Sequence, residues 1–306
     1  MTVKVLYIAG SGRSGSTILD RILGQLDGFF SAGELSNLWE RGLVDRRKCG
    51  CGVPIPECPV WSAVLAKGFG EVDAGRLAAL ARRRLRPRSV PPLLAARWWR
   101  REPRMDEYRQ ALASLYLAVQ EHTGCRVVVD SSKSPLYAEL LATIPGVDVH
   151  VVHLVRDARA TAYSFRRKKR LPDFGDDRLM LRQHPLVSAR RWDLWQVVTE
   201  LLWRARRDRY LHLRYEDFIS GPRPAVLTIA GLVGEAPARL PFVDDRTVRL
   251  AVTHSVSGNP NRFGTGDVAV RPDDEWVAAM RPRDRVLVTA ATWPLLLRYR
   301  YPLRPR

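Results

Sequence analysis

Short apolar runs that end in a polar or glycine-rich turn alternate along this chain with stretches of helical spacing. Residues 3–9 (VKVLYIA) are mostly apolar and rich in β-branched side chains, and Gly10 closes them. A glycine and serine loop over 10–16 leads into residues 17–24 (TILDRILG), whose apolar positions repeat at helical spacing. Two further β-branched runs, 126–130 (RVVVD) and 147–155 (VDVHVVHLV), each run into a polar turn and then a helical pattern. A fourth, 210–213 (YLHL), is shorter. Strands alternating with helices predict an α/β fold with a central, mainly parallel sheet flanked by helices in three layers. In such a sheet ligands gather at the carboxyl ends of the strands. Residues 61–122, dominated by Ala, Leu and Arg, read as a helical insertion interrupted by Arg82 to Arg84, Pro91-Pro92 and Trp98-Trp99. Residues 186–207 and 222–232 predict a long and a shorter helix. We read all 306 residues as one domain, with 61–122 placed to cover a bound substrate and Trp98 and Trp99 as its apolar contacts.

Composition narrows the picture less than the pattern does. With 46% hydrophobic residues the chain can bury a sizeable core and is not disordered by composition. The formal charge is +18, and all but six of the 50 basic residues are arginine. That excess reflects either the codon bias of a GC-rich, bacterial-type genome or an anionic ligand, since guanidinium offers paired donors to phosphate and sulfate oxygens. No run of eighteen apolar residues exists and residues 3–9 lead into the glycine loop rather than a cleavage site, so a cytoplasmic location without stable membrane insertion is expected. Cys49, Cys51 and Cys58 cluster with no nearby histidine, an incomplete zinc set that Cys125 completes only if the fold brings it there. We read the four as reduced packing thiols, with a Cys51–Cys58 disulfide and a zinc site as alternatives, and expect no metal.

The chemistry is carried by motifs at the predicted strand ends. Gly10 and Gly15 have four residues between them, the spacing that lets backbone N–H groups surround a phosphate at a helix start, but Ser16 stands where a nucleotide triphosphatase needs lysine. The nearest cation is Arg13. A cation followed by Ser-Gly-Ser-Thr resembles the 5′-phosphosulfate loop of sulfotransferases that use 3′-phosphoadenosine-5′-phosphosulfate (PAPS), nearest to the tyrosylprotein and bacterial branch. The resemblance implies a P-loop-type fold, with Arg13 at the 5′-phosphate and bridging oxygen and Ser14, Gly15, Ser16 and Thr17 supplying backbone and hydroxyl donors. The segment 155–164 (VRDARATAYS) is similar to the family's 3′-phosphate element, which assigns Arg156 and Ser164 to that phosphate. Leu213-Arg-Tyr-Glu-Asp-Phe218 resembles the family segment whose tyrosine lies near the nucleotide, here Tyr215. Residues 254–263 (HSVSGNPNRF) resemble a loop that closes on the 3′-phosphate, with Arg262 the stronger candidate and Asn259 the weaker.

The same resemblance supplies catalytic candidates. Residues 31–35 (SAGEL) are similar to the Gly-Glu segment that provides a carboxylate base, here Glu34, and Lys133 matches a strand-end lysine. His122, His150 and His153 precede or lie inside predicted strands and offer no clear base. The implied reaction moves the sulfuryl group of PAPS to a hydroxyl of a small-molecule, glycan or lipid acceptor, releasing 3′,5′-adenosine diphosphate (PAP). Two rivals are a divergent P-loop kinase, with Asp130 holding magnesium, and a basic nucleic-acid binder using residues 82–109 with Trp98, Trp99 and Tyr108 as stacking groups. Nucleic acid is not the expected partner. The sequence leaves acceptor identity and oligomeric state open.

Overall fold

A computed structural model describes residues 2–91, 105–174 and 179–304. Trp98 and Trp99 lie outside the described residues. Five strands, β1 (Val3–Gly10), β2 (Phe29–Gly33), β3 (Val127–Lys133), β4 (Val147–Val155) and β5 (Tyr210–Arg214), form an all-parallel sheet in the order β2-β3-β1-β4-β5. Helices cover both faces, which is why these strands read as continuous apolar runs rather than as an alternation. On β1 the pleat sends Val5, Tyr7 and Ala9 into one core and Leu6 and Ile8 into the other.

The first core is closed by α2 (Pro59–Gly68), α3 (Ala74–Arg84), α4 (Asp106–Thr123) and α5 (Pro135–Leu141), through Trp61, Leu77, Tyr108, Leu112 and Tyr137. α1 (Ser16–Leu23) and α9 (Pro222–Leu232) close the second. A third cluster joins α6 (Ala158–Arg166), α7 (Pro185–Trp203), α10 (Glu275–Ala279) and α11 (Pro282–Arg298) around Trp192, Leu296 and Tyr299. The short helix α8 (Tyr215–Ser220) follows β5 directly, and a separate antiparallel pair, β6 (Thr247–Leu250) and β7 (Gly266–Ala269), flanks the second core.

The predicted strands sit where the pattern puts them, within three residues at each end. β2 was not signalled, because five residues (FFSAG) at a sheet edge show neither a long apolar run nor clear alternation. Tyr108 is fully buried in the first core and cannot stack on bases, which corrects its assignment in the nucleic-acid reading. Among the described residues, no helix is long and apolar enough to cross a membrane.

Candidate active site

Each strand of the sheet delivers one chemical group at its carboxyl end. β1 runs into the loop holding Arg13, β2 into Glu34, β3 into Lys133, β4 into Arg156 and β5 into Tyr215. All of them line one cavity of about 1220 Å³, together with Gly15, Ser16, Thr17, Ser164 and Asn259.

The β1 loop is shaped by positive φ. Gly10 has φ 139° and Gly15 φ 90°, and a Cβ built on Gly15 would lie 2.5 Å from two ring carbons of Tyr215. Only glycine lets the tyrosine ring lie against this loop. Arg13 and Lys133 also hold left-handed backbone, at φ 68° and φ 71°. Strained non-glycine residues persist where the surrounding structure over-determines them, and these two share a cavity wall.

Arg13 stacks over Phe165, 5.2 Å from the ring centroid, and its Nη1 points to Met180 Sδ at 3.2 Å. Burial lowers its pKa, opposed by the charge of Glu34. Arg156 lies 4.5 Å over the Tyr215 ring, donates to the carbonyls of Arg13 and Asp273, and pairs with the Asp273 carboxylate at 3.0 Å. Its Nε is buried and, among the described residues, has no hydrogen-bond partner. Ser164, two turns along α6, is buried and opens on the same cavity.

On the opposite side, Lys133 Nζ donates to Glu34 Oε1 at 2.6 Å and to the Ser131 carbonyl at 2.8 Å. Asn37 Nδ2 donates to Glu34 Oε2 at 2.7 Å. Burial alone would raise the Glu34 pKa, but Lys133, Arg41 and Arg262 outweigh it and hold the carboxyl below its ordinary value. Glu34 is thus an oriented carboxylate whose side chain is 13% exposed.

The segment after β6 closes the floor. A Cβ built on Gly258 would lie 3.6 Å from Thr17 Oγ1 and 3.9 Å from Glu34 Oε1, and Thr17 Oγ1 accepts from the Asn259 backbone N–H at 3.3 Å. Arg262 does not line the cavity. It is 1% exposed, pairs with Asp173 at 3.2 Å and donates to the carbonyls of Ser255 and Lys48, so its guanidinium is spent on holding this segment in place. Asn259, by contrast, lines the cavity. Ser14, like Arg262, is fully buried and off the cavity wall, and its Oγ has no hydrogen-bond partner among the described residues.

The sequence reading missed Arg41, Lys169, Arg191 and Phe165, which also line the cavity. Burial, Arg167 and Arg13 lower the Lys169 pKa. A surplus of cations over Glu34, Glu40, Asp173 and Asp273 suits a polyanionic ligand. Asp130, the magnesium candidate of the kinase reading, faces away from this cavity. It accepts from Ser132 N–H at 2.8 Å, from Ser132 Oγ at 2.5 Å and from the Tyr116 hydroxyl, and burial raises its pKa to about 6.

Comparison with known proteins bears on the fold and the family. Among solved structures, the sulfotransferase domain from the curacin biosynthetic pathway superposes with a TM-score of 0.55 at 16% identity, covering 98% of each chain. The sulfotransferase domain of the Synechococcus PCC 7002 olefin synthase gives 0.54 at 21% identity, covering 98% of this chain and 96% of that one. At these identities the likeness shows the fold. No curated protein matches the chain in sequence. The Sulfotransferase family model matches residues 6–235, which spans β1 to α9 and contains every strand-end group described above, so this chain belongs to the sulfotransferase family of PAPS-using enzymes.

Proposed function

We propose that this protein transfers the sulfuryl group of PAPS to a hydroxyl of a small-molecule, glycan or lipid acceptor by in-line displacement, leaving PAP. The observation that carries the proposal is the convergence of Arg13, Glu34, Lys133, Arg156 and Tyr215, one from each parallel strand, on one cationic cavity. The buried, unpartnered Arg156 Nε and the Ser164 hydroxyl fit a terminal phosphate at the β4 end. Sheet order sets the division of labour. Glu34 and Lys133 stand at the β2–β3 side and Arg156 and Tyr215 at the β4–β5 side, with Arg13 between them. Adjacent strands are about 4.8 Å apart, so the outermost strand ends are separated by roughly 19 Å, which supports a nucleotide on one side and an acceptor on the other.

PAPS supplies an already activated sulfuryl group. Arg13 and the N–H groups at the start of α1 stabilise negative charge growing on the departing oxygen, and they matter most where that charge is largest. Lys133 neutralises transferring oxygens while keeping Glu34 ionised. Because Glu34 is held below its ordinary pKa it is a weak base, so it takes the hydroxyl proton only as the new S–O bond forms. No metal enters these steps. Arg82 and Leu85, beside the end of α3, reach the cavity, which supports the reading of residues 61–122 as cover over the acceptor side within one domain.

The test is PAP release from PAPS with a panel of phenols, saccharides, lipids and peptides, read together with the mass gain of the acceptor. Glu34→Gln should lower kcat about 10²- to 10⁴-fold with PAP affinity nearly unchanged. PAPS turnover on none of these acceptors, or full activity in Glu34→Gln, would contradict the proposal.

A further inference from the structure

Outside the cavity, the fold brings Cys49, Cys51, Cys58 and His254 together so that one ligand atom from each lies within 4.8 Å of the others. We infer that these four residues bind a structural Zn²⁺ that clasps the loop after β6 to the edge of the sheet. Zinc held by three thiolates at about 2.3 Å and one imidazole at about 2.0 Å sets S···S separations near 3.8 Å and S···N separations near 3.5 Å. Cys51 Sγ and Cys58 Sγ are 3.7 Å apart, and His254 Nδ1 lies 3.2 Å from Cys58 Sγ and 3.9 Å from Cys49 Sγ. A disulfide needs about 2.0 Å between sulfurs, so Cys51 and Cys58 are unbridged. A thiol–imidazole hydrogen bond accounts for the Cys58–His254 contact but not for the convergence of all four ligand atoms within 4.8 Å. Cys125, the fourth ligand that the sequence offered, is not part of the cluster.

Backbone structure presents the ligands. A tight turn pairs the N–H of Cys49 with the Val53 carbonyl, and Cys58 stands at the start of α2 just before Pro59. Trp61 Nε1 donates to the His254 carbonyl at 2.6 Å, fixing the backbone that carries the imidazole. Four protein ligands, with Cys49 and Cys58 fully buried, leave no open position for catalysis. Binding would release three thiol protons and leave a site of net charge −1.

The position gives the metal a task. Two residues beyond His254, Val256 bridges to both Cys49 and Gly33, and its carbonyl accepts the N–H of Glu34 at 2.6 Å. Asn259 N–H then donates to Thr17 Oγ1 at 3.3 Å. Zinc would therefore lock the backbone that seats Glu34 and the floor of the nucleotide side.

The experiment is elemental analysis of full-length protein purified on a metal-free resin, with wild type beside Cys51→Ser and His254→Ala. About one zinc per chain in wild type, falling by at least about ten-fold in both variants, is expected. Should the variants fold poorly, wild-type protein stripped by chelator and reloaded with Co²⁺ should show thiolate-to-cobalt absorption and tetrahedral d–d bands, and lose Tm reversibly on stripping. Wild type that holds no zinc after dialysis against it, or whose intact mass shows a Cys51–Cys58 disulfide, would overturn the inference. These readouts do not depend on the reaction assigned above. A drop in PAP affinity on stripping does, and tests the coupling separately.

Discussion

Gly15→Ala probes the contact that ties the β1 loop to Tyr215 and, through it, to the proposed 3′-phosphate site. The added Cβ would sit 2.5 Å from Cδ2 and Cε2 of Tyr215, whereas carbon atoms in contact rest about 3.5–4.0 Å apart. The ring must therefore retreat by about 1 Å, and it is only 8% exposed. Alanine at φ 90° adds about 1–2 kcal/mol of backbone strain, and overpacking of this kind costs about 1–3 kcal/mol. The sum, about 2–5 kcal/mol, divides between lower stability and a displaced ring. Because Arg156 lies 4.5 Å over that ring, displacement moves the guanidinium assigned to the 3′-phosphate. Calorimetric titration with PAP should show at least a roughly ten-fold loss of affinity, with Tm lower by several degrees. Gly231→Ala, inside α9 with open space around it, is the control and should leave binding intact and stability equal or slightly higher. Wild-type PAP affinity and Tm in Gly15→Ala would refute the reasoning.

Lys133→Met removes the ammonium 2.6 Å from Glu34, so burial acts on the carboxyl with less opposition and its pKa rises. The acid limb of the kcat profile should then move to higher pH, and an unmoved limb would show that Glu34 is not the group titrating. A separate prediction concerns stability. His153 is fully buried, bonded to Gln196 and Tyr210, and burial lowers its pKa from 6.5 to about 4. A depressed histidine stabilises the fold above its unfolded pKa, and this contribution, about 3 kcal/mol at 1.36 kcal/mol per unit, is lost as pH falls from about 6.5 to about 4. His153→Asn should flatten that part of a Tm against pH curve while lowering Tm throughout, and an unchanged slope would count against the assignment.

Most of the sheet was legible because buried parallel strands leave apolar runs, and the phosphate loop because glycine and serine spacing has few other uses. Legibility failed where a role depends on a distant partner. Nothing local distinguishes Arg262, spent on Asp173, from Asn259 on the cavity wall. Arg41 and Arg191 sit among many arginines, and only the fold separates cavity from solvent. Tyr108 resembled a stacking group because it stands near the end of an arginine-rich stretch, yet its helix turns it inward. His254 completes the cysteine set from 196 residues beyond Cys58, beyond any spacing rule. β2 escaped notice, while the carboxylate at its end was found by family resemblance.

Calorimetric titration of wild type and Arg156→Ala with PAP, ADP and ATP asks whether this cavity holds a 3′-phosphoadenosine nucleotide. Magnesium-independent binding that prefers PAP is expected, weakened about 10- to 100-fold in Arg156→Ala by loss of a charge-assisted contact of about 1.5–3 kcal/mol. Preference for ATP with magnesium, or equal PAP affinity in the variant, would contradict it.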